Sequence, residues 1–343
     1  MKDPAKPRLA GLDALRGIAA TVVMLHHYTA NYDHYVRHVA VTGLSGVFLF
    51  GIFGVDLFFI VSGFVICMTL EGGPRGGDFA VARFARLYPA FVVSMMVTII
   101  ALLACGRAID MWAIMANLTM SPQWFGVANL DASYWTLKWE LLFYGLAALF
   151  LRGRAPEWPC VVWLMCGFAL RITGYADAGF VSILTLTQFA PLFTTGMCLF
   201  RIHAGQSTTV TWVILIAGII SSTLQPFFGS GEISRSFYGG MIVCFAGLVA
   251  FAASSYGRVF AVWPLRFLGA ISYPLYLVHQ QAGFLVIERL ERSGLPPAAA
   301  IPVTILLVVM VAWAISSIIE RPAQRLIMRR WRAAAWNRRP DVR

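Results

Sequence analysis

The sequence predicts an all-α protein, a polytopic membrane bundle of about ten transmembrane helices with both termini cytoplasmic. Three observations predict it. Apolar residues fill 59% of the 343 positions and charged residues only 13%, against about a quarter in an ordinary soluble domain, and mean hydropathy is +0.72. Apolar runs close to bilayer-spanning length recur along the whole chain, punctuated by turn clusters such as Glu71–Asp78 and Gly229–Glu232. The basic residues alternate loop by loop. This composition excludes a disordered chain, a soluble enzyme and a disulfide-stapled secreted module. The cysteines (Cys67, Cys105, Cys160, Cys166, Cys198 and Cys244) form no CxxC pair and sit in or beside apolar runs. That is neither a disulfide framework nor a zinc spacing, so they read as packing residues and no metal is expected.

Taken in order, the runs are Leu12–Tyr28, Val47–Leu70, Pro89–Cys105, Tyr134–Leu151 and Trp158–Ile172, then Phe180–Phe200, Thr211–Pro226, Phe237–Ser254, Ala270–Ile287 and Ala300–Ile319. Residues 110–132 are too polar for a lipid-facing span and are expected to fold into the bundle or onto its surface. The first run is not a cleavable signal, because it holds Asp13 and Arg16 and lacks a small-residue cleavage pattern. Residues 1–343 therefore read as a single membrane-embedded domain, with spans over about 12–319 and a basic cytoplasmic tail over 320–343.

Charge fixes the expected orientation. With a cytoplasmic amino terminus, one side carries Lys2, Lys6, Arg8, Arg75, Arg83, Arg86, Arg152, Arg154, Arg201, Arg258, Arg266 and the eight arginines from Arg321 to Arg343, making 19. The other side carries Arg37, Arg107, Arg171, Arg235, Arg289 and Arg292, making 6. This split follows the positive-inside rule. It accounts for the net charge of +11 without a nucleic-acid partner.

An ionisable side chain inside a span costs at least ~2.5 kcal/mol to insert and is a functional-site candidate for that reason. The candidates are Asp13, Arg16, His26, His27, Asp56, Lys138, Glu140 and His279. Arg16 and His27 are eleven residues apart, which is three helical turns plus about 20°, so they share a face about 16 Å apart. His26 points about 100° away. Asp13, one turn from Arg16, can pair with it; a rim ion pair and a packed histidine are the bland alternative. Asp56, within Gly54–Gly63, needs a partner such as Arg or His, and a structural ion pair is the favoured reading there. Glu140 lies among Trp135 and Tyr144, as for a carboxylate facing a shared cavity, and carboxylate with imidazole supplies the parts for general-base work. His279 reads equally as a packing residue or a substrate contact. Arg83 and Arg86 fall on one face of the amphipathic stretch Asp78–Pro89. They suit either anionic lipid at the membrane surface or a phosphate clamp.

These segments, in this order, resemble the acyltransferase-3 family of integral membrane O-acyltransferases. The matching pieces are Leu12–Arg16 with His27, Gly54–Phe64, Arg83–Pro89, Trp135–Glu140, Ile271–His279 and Ile319–Pro322. The resemblance implies a multi-pass protein of the cell inner (plasma) membrane. It would move an acyl group, usually acetyl, from cytoplasmic acyl-CoA to a hydroxyl of a cell-envelope or secreted glycan. Arg16 and His27 match the family's Arg-x10-His signature, with His27 the implied catalytic base. Arg83 and Arg86 match its Arg-x-x-Arg motif, implied to meet coenzyme A phosphates, with Arg16 beside the incoming donor. Glu140 or Asp56 is expected to orient the imidazole, and His279 and Trp135 are expected on the substrate side. Direct transfer is the expected mechanism, a covalent acyl-His27 its variant. Leu141 follows Glu140 where many relatives carry a second acidic residue. Some relatives also add a soluble hydrolase-like domain; here a short basic tail is expected in that place, so any second transfer step would use another protein, such as a glycan-assembly protein, or none. The rival from another class is a secondary transporter or flippase for a glycan or acyl donor, built from the same intramembrane charges.

Overall fold

The computed structural model describes residues 9–37, 45–71, 73, 76–150, 157–173, 186–225 and 233–337. Among these residues all regular structure is helical. Helix α1 (Ala10–His26) runs on into π-helical turns over His27–Asn31 and Asp33–Arg37. A turn at Ser45–Phe48 and a 3-10 turn at Leu49–Phe53 lead into α2 (Gly54–Glu71). There follow α3 (Gly76–Ala104), α4 (Met111–Asn117), α5 (Trp135–Phe150), α6 (Trp158–Ile172), α7 (Ala190–His203), α8 (Thr209–Leu224) and α9 (Arg235–Ala253). The chain continues with α10 (Trp263–Val278), α11 (Gln281–Arg292), α12 (Pro297–Ala314), a π-helical stretch over Ile315–Glu320, and α13 (Arg321–Asn337).

Among the described residues, four stretches are long and apolar enough to cross a membrane: Ser45–Glu71, Gly77–Ala104, Arg235–Ala253 and Pro297–Ala334. They fall on the second, third, eighth and tenth predicted runs. The fifth and seventh runs form the shorter apolar helices α6 and α8. Part of the sixth run, residues 180–185, lies outside the described residues, as do Lys2, Lys6, Arg8, Arg75, Arg152, Arg154 and the tail from residue 338. The ninth run corrects an expectation. Instead of one helix over Ala270–Ile287, the chain breaks at His279–Gln280 between α10 and α11. Residues 110–132 hold the short helix α4, a 3-10 turn at Pro122–Phe125 and turns between them, and side chains of the segment take up several of its backbone groups. Asp110 caps α4 through the Trp112 amide. The Asn117 side chain donates to the carbonyls of Ala113 and Ala128 and accepts from the Leu130 amide.

The chain divides into two compact units. The first comprises Met1–Val23, Phe50–Gly73 and Trp139–Ala270. Its centre is the packing of α2 on α7, made possible by two glycines facing backbone. A Cβ at Gly63 would run into the Phe193 carbonyl, and one at Gly196 into the Ile60 carbonyl. Small residues let membrane helices approach until backbone touches backbone, so dispersion replaces the missing hydrophobic drive. Phe59, Phe143, Phe189 and Phe193 fill the space beside this crossing, with Phe143 and Phe193 stacked at 4.0 Å between centroids. On α1, Gly17 meets the backbone of Leu268 and Gly269 in the same way.

The second unit comprises Met24–Leu49, Pro74–Lys138 and Ile271–Arg343. Here α3 packs against α11, the π-helical stretch Ile315–Glu320 and α13. At 29 residues, α3 is about 43 Å long, which exceeds the ~30 Å hydrocarbon core. Its amino-terminal turns, bearing Arg83 and Arg86, are the polar part of that excess.

Candidate active site

His27 is the first residue of the π-helical turn that follows α1. The wider winding shows in the Tyr32 amide, which reaches back to the His27 carbonyl. Such π-bulges are rare and are frequent at functional sites. The neighbouring His26 is buried and bonds instead through Nδ1 to the Phe48 carbonyl, 3.0 Å away.

The His27 ring meets His279. His279 Nε2 lies 3.2 Å from His27 Nδ1, and His279 Nδ1 lies 2.7 Å from the Tyr276 carbonyl oxygen. A carbonyl can only accept, so the proton of neutral His279 sits on Nδ1 and its Nε2 carries a lone pair. His27 Nδ1 must then donate to that lone pair, which leaves the lone pair of His27 on Nε2. The chain of bonds from a fixed carbonyl through two imidazoles thus sets the His27 tautomer, and Nε2 is the basic atom.

His279 is fully buried and is the last residue before the break between α10 and α11. The break is held by side chains from two other elements. Tyr28 donates its hydroxyl to the His279 carbonyl at 2.6 Å. Asp131 accepts the Gln281 amide through Oδ2 at 2.9 Å, and its Oδ1 takes the amide and hydroxyl of Ser133 at 2.9 and 2.7 Å. Asp131 is therefore an amino-terminal cap for α11 supplied from 150 residues away and a local cap for the 3-10 turn before α5. It has no exposed surface. Burial pushes its carboxyl up to about 6, against bonds from Ser133 and Gln281 that favour the ionised form. Gly283 on α11 leaves room for the Tyr28 hydroxyl, which a Cβ there would strike. Phe284 packs against His27 and Tyr28, each at 6.4 Å between centroids.

Trp135, half-buried, opens α5 directly after this turn. The next residue, Thr136, donates to the Tyr276 hydroxyl at 3.1 Å. Tyr276 thus links the start of α5 to the residue whose carbonyl fixes His279. Asp131, Tyr28 and Tyr276 were not singled out by the sequence reading. Asp131 carried one local signal, the Asp-x-Ser spacing of a capping turn.

In the first unit, Glu140 is bonded by the Tyr144 hydroxyl one turn along α5. Asp56 is bonded by Tyr238 of α9, so the partner expected to be Arg or His is a tyrosine hydroxyl. Arg16 lies half-buried on α1. In the second unit, Arg83 and Arg86 are half-buried on α3, and the Arg83 guanidinium lies 5.4 Å from the centre of the Phe79 ring. Among the described residues, no cluster of three or more His, Cys, Asp or Glu could hold a metal ion.

Comparison with known proteins puts a family to this arrangement. Over 324 residues the chain is 24% identical to the peptidoglycan O-acetyltransferase OatA of Listeria monocytogenes, covering 78% of this chain and 48% of that protein. It is 24% identical over 361 residues to the O-acetyltransferase OatA of Staphylococcus aureus, covering 92% and 57%. A shorter match, 30% over 154 residues, covers 38% of this chain and 41% of nodulation protein 10 of Rhizobium leguminosarum. The chain thus spans about half the length of the curated relatives it matches. No solved structure gives a significant match. The model of the acyltransferase domain family matches residues 9–317, taking in both histidines, both arginines of α3 and the apolar helices around them, and the chain is an integral membrane protein that belongs to that family.

Proposed function

We propose that this protein is an O-acyltransferase of the plasma membrane that moves an acyl group, acetyl in the first instance, from acyl-CoA to a hydroxyl of a cell-envelope glycan. The observation that carries the reading is the bond chain from the Tyr276 carbonyl through His279 to His27, because it presents a lone pair on His27 Nε2. The relatives' names, O-acetyltransferases and among them one for peptidoglycan, support the reaction and the acceptor class.

In this mechanism the acceptor hydroxyl oxygen attacks the thioester carbonyl carbon while His27 Nε2 takes the hydroxyl proton. The resulting imidazolium keeps its Nδ1–H bond to His279, so no ring has to turn. Collapse of the tetrahedral adduct breaks the carbon–sulfur bond, and the proton on Nε2 passes to the departing thiolate. Arg83 and Arg86 bind the donor phosphates, a role that suits guanidinium because it meets phosphate oxygens bidentately. Arg16 contributes on the donor side, Trp135 on the acceptor side. His279, expected to contact substrate, instead acts as the residue that positions the base. Glu140 and Asp56 are assigned supporting roles in holding the helices that carry the polar groups.

In this reading both termini face the cytoplasm and the chain crosses the membrane about ten times, an arrangement that the distribution of basic residues supports. Fusions of a compartment-sensitive reporter to each end test that orientation.

The deciding experiment gives purified, reconstituted protein acetyl-CoA and a soluble glycan. Thioester turnover with acetyl-ester formation supports the proposal. The broken helix at His279–Gln280 is also the device by which transporters build midplane sites. Glycan or donor flux across the vesicle without thioester turnover would therefore replace the enzyme by a transporter. Mass spectrometry of envelope glycans with and without the protein identifies the acyl chain and the acceptor together.

A further inference from the structure

Arg37 is not used in the mechanism above. Two helical arms leave the histidine pair together: the π-wound extension of α1 from His27 to Arg37, and α11, which starts two residues after His279. Both belong to the second unit. At the far end Arg37 joins them. Its Nη1 donates to Asp33, one turn back on the same arm, and its Nη2 donates to Glu291 on α11. The guanidinium carbon lies 4.6 Å from the centre of the Tyr32 ring. Asp33 is fixed in turn by the Ser45 hydroxyl, which donates to it at 2.6 Å. The Arg37 side chain is 9% exposed and that of Asp33 3%, against 22% for Glu291, so Glu291 is the partner nearest to solvent.

An exposed ion pair would hold little. A guanidinium that has given up its water is stable only with its bonding groups in place, and here two carboxylates and an aromatic face supply them. The register of the arms shows what this fixes. Ten residues separate His27 from Arg37, and ten separate Gln281 from Glu291, which places Glu291 about 15 Å along α11 from the break. Between the two joints the arms are stitched by rings. Tyr32 meets Phe284 at 5.2 Å between centroids, and Phe284 meets His27 at 6.4 Å. Contacts thus run without a gap from Glu291 through Arg37, Tyr32 and Phe284 to His27. π-Winding is mostly confined to single turns within an α-helix. The arm that bears His27 has two π-turns in close succession, so its winding leans on contacts beyond its own backbone.

We propose that Arg37, through its bond to Glu291, is a positioning residue for acyl transfer: it clasps the outer ends of the two arms and so holds His27 Nδ1 against His279 Nε2. The inference rests on the acyltransferase reading and adds to it the element that keeps the base in its reactive tautomer. With the clasp closed, the arms are held at both ends and cannot turn about the bond between the rings. With the clasp open, that bond stands alone, and the neutral His27 ring can carry its proton on either nitrogen.

The test is Glu291→Ala in full-length protein in nanodiscs. Arg37 keeps Asp33 in this variant, so no buried charge is left alone. The kcat should fall by about ten- to a hundredfold, the cost of a small misplacement of a catalytic group, with the KM for acyl-CoA unchanged. In the His279→Ala background the same substitution should cost nothing further, since both act through one bond. Glu291→Gln keeps an oxygen that can accept from Nη2 and should lose less than Glu291→Ala. Nitrogen-15 spectra of histidine-labelled protein read the pair directly: His27 should be protonated on Nδ1 alone in the wild type and on either nitrogen in Glu291→Ala. A wild-type tautomer in Glu291→Ala overturns the proposal, and so does an equal loss of kcat with His279 present or replaced. The spectra need no substrate. If the wild type transfers no acyl group while the tautomer changes as stated, the acyltransferase reading falls and the clasp stands.

Discussion

Asp131 Oδ2 accepts the backbone N–H of Gln281 at 2.9 Å, so the break at His279 is made in one part of the chain and satisfied by another. A helix end in a membrane leaves amide groups that water cannot reach, each costing several kcal/mol if unpaired. The site is affordable because Asp131 and Tyr28 take up the groups on either side of the break.

The first prediction concerns the two imidazoles. His27→Ala should lower acyl transfer by about 10²- to 10⁴-fold, the usual worth of a general base, with the protein still inserted. His279→Ala should lower kcat by at least about tenfold and leave the KM for acyl-CoA unchanged, because it frees the tautomer without touching the donor. The double variant should be no worse than His27→Ala, since groups that act as a unit do not add. Steady-state kinetics on all three decide it; two independent, additive losses would break the dyad.

Asp131 predicts a pH dependence. Its carboxyl, pushed up to about 6 by burial, holds its proton more tightly in the folded protein than in the unfolded chain, where a value near 3.8 applies. This group therefore favours the folded state fully below about pH 4, and the contribution is lost as pH rises through about 6. The shift corresponds to about 3 kcal/mol. Thermal unfolding of wild type and Asp131→Asn in detergent should show a difference that changes over that window. A constant difference from pH 4 to pH 7 would rule the titration out. The variant should also be less active, since the Gln281 amide would then face an amide donor.

Gly283 should tolerate no side chain. In Gly283→Ala the methyl displaces the Tyr28 hydroxyl from the His279 carbonyl, and Tyr28→Phe removes the same bond without the clash. Both should reduce activity, Gly283→Ala the more, and Gly283→Ala/Tyr28→Phe should stay below Tyr28→Phe, because a Cβ at Gly283 also strikes the ring carbons of residue 28. The comparison of kcat values separates the lost bond from the steric effect.

Gly196 predicts a loss of stability with no chemistry involved. Gly196→Ala drives a methyl into the Ile60 carbonyl at the α2–α7 crossing, and overpacking of this kind costs typically about 1–3 kcal/mol. The melting temperature should fall while the remaining folded fraction keeps its KM for acyl-CoA. An unchanged melting temperature would show that the helices part without cost.

The helical class, the apolar stretches and the presence of ionisable groups such as His27 and His279 within them were legible in the sequence, because burial of charge and helical period are local properties. The partner of His27 was not. His279 lies 252 residues away, and a carboxylate at Glu140 or Asp56 was the chemically natural guess, yet those groups bond Tyr144 and Tyr238. The break in the ninth apolar run was also hidden. Nothing in Ala270–Ile287 requires it locally, and what stabilises it is Asp131 and Tyr28, both distant in sequence. Asp131 itself escaped notice because it lies in the polar segment between spans, where an acidic residue carries no insertion cost.

The π-winding at His27–Asn31 has a consequence for how this chain tolerates change in length. A π-turn holds one residue more than the α-helix it interrupts, so losing any one residue from 28–31 would let the coil close into ordinary α-winding rather than unravel. The helix would survive the deletion. Four α-wound residues turn through nearly the same angle as the five π-wound residues they would replace, so Asp33 and Arg37 would keep their line to Glu291, with which Arg37 pairs. The extra residue works like slack in a cord: it can be taken up locally without turning one end of the rod against the other.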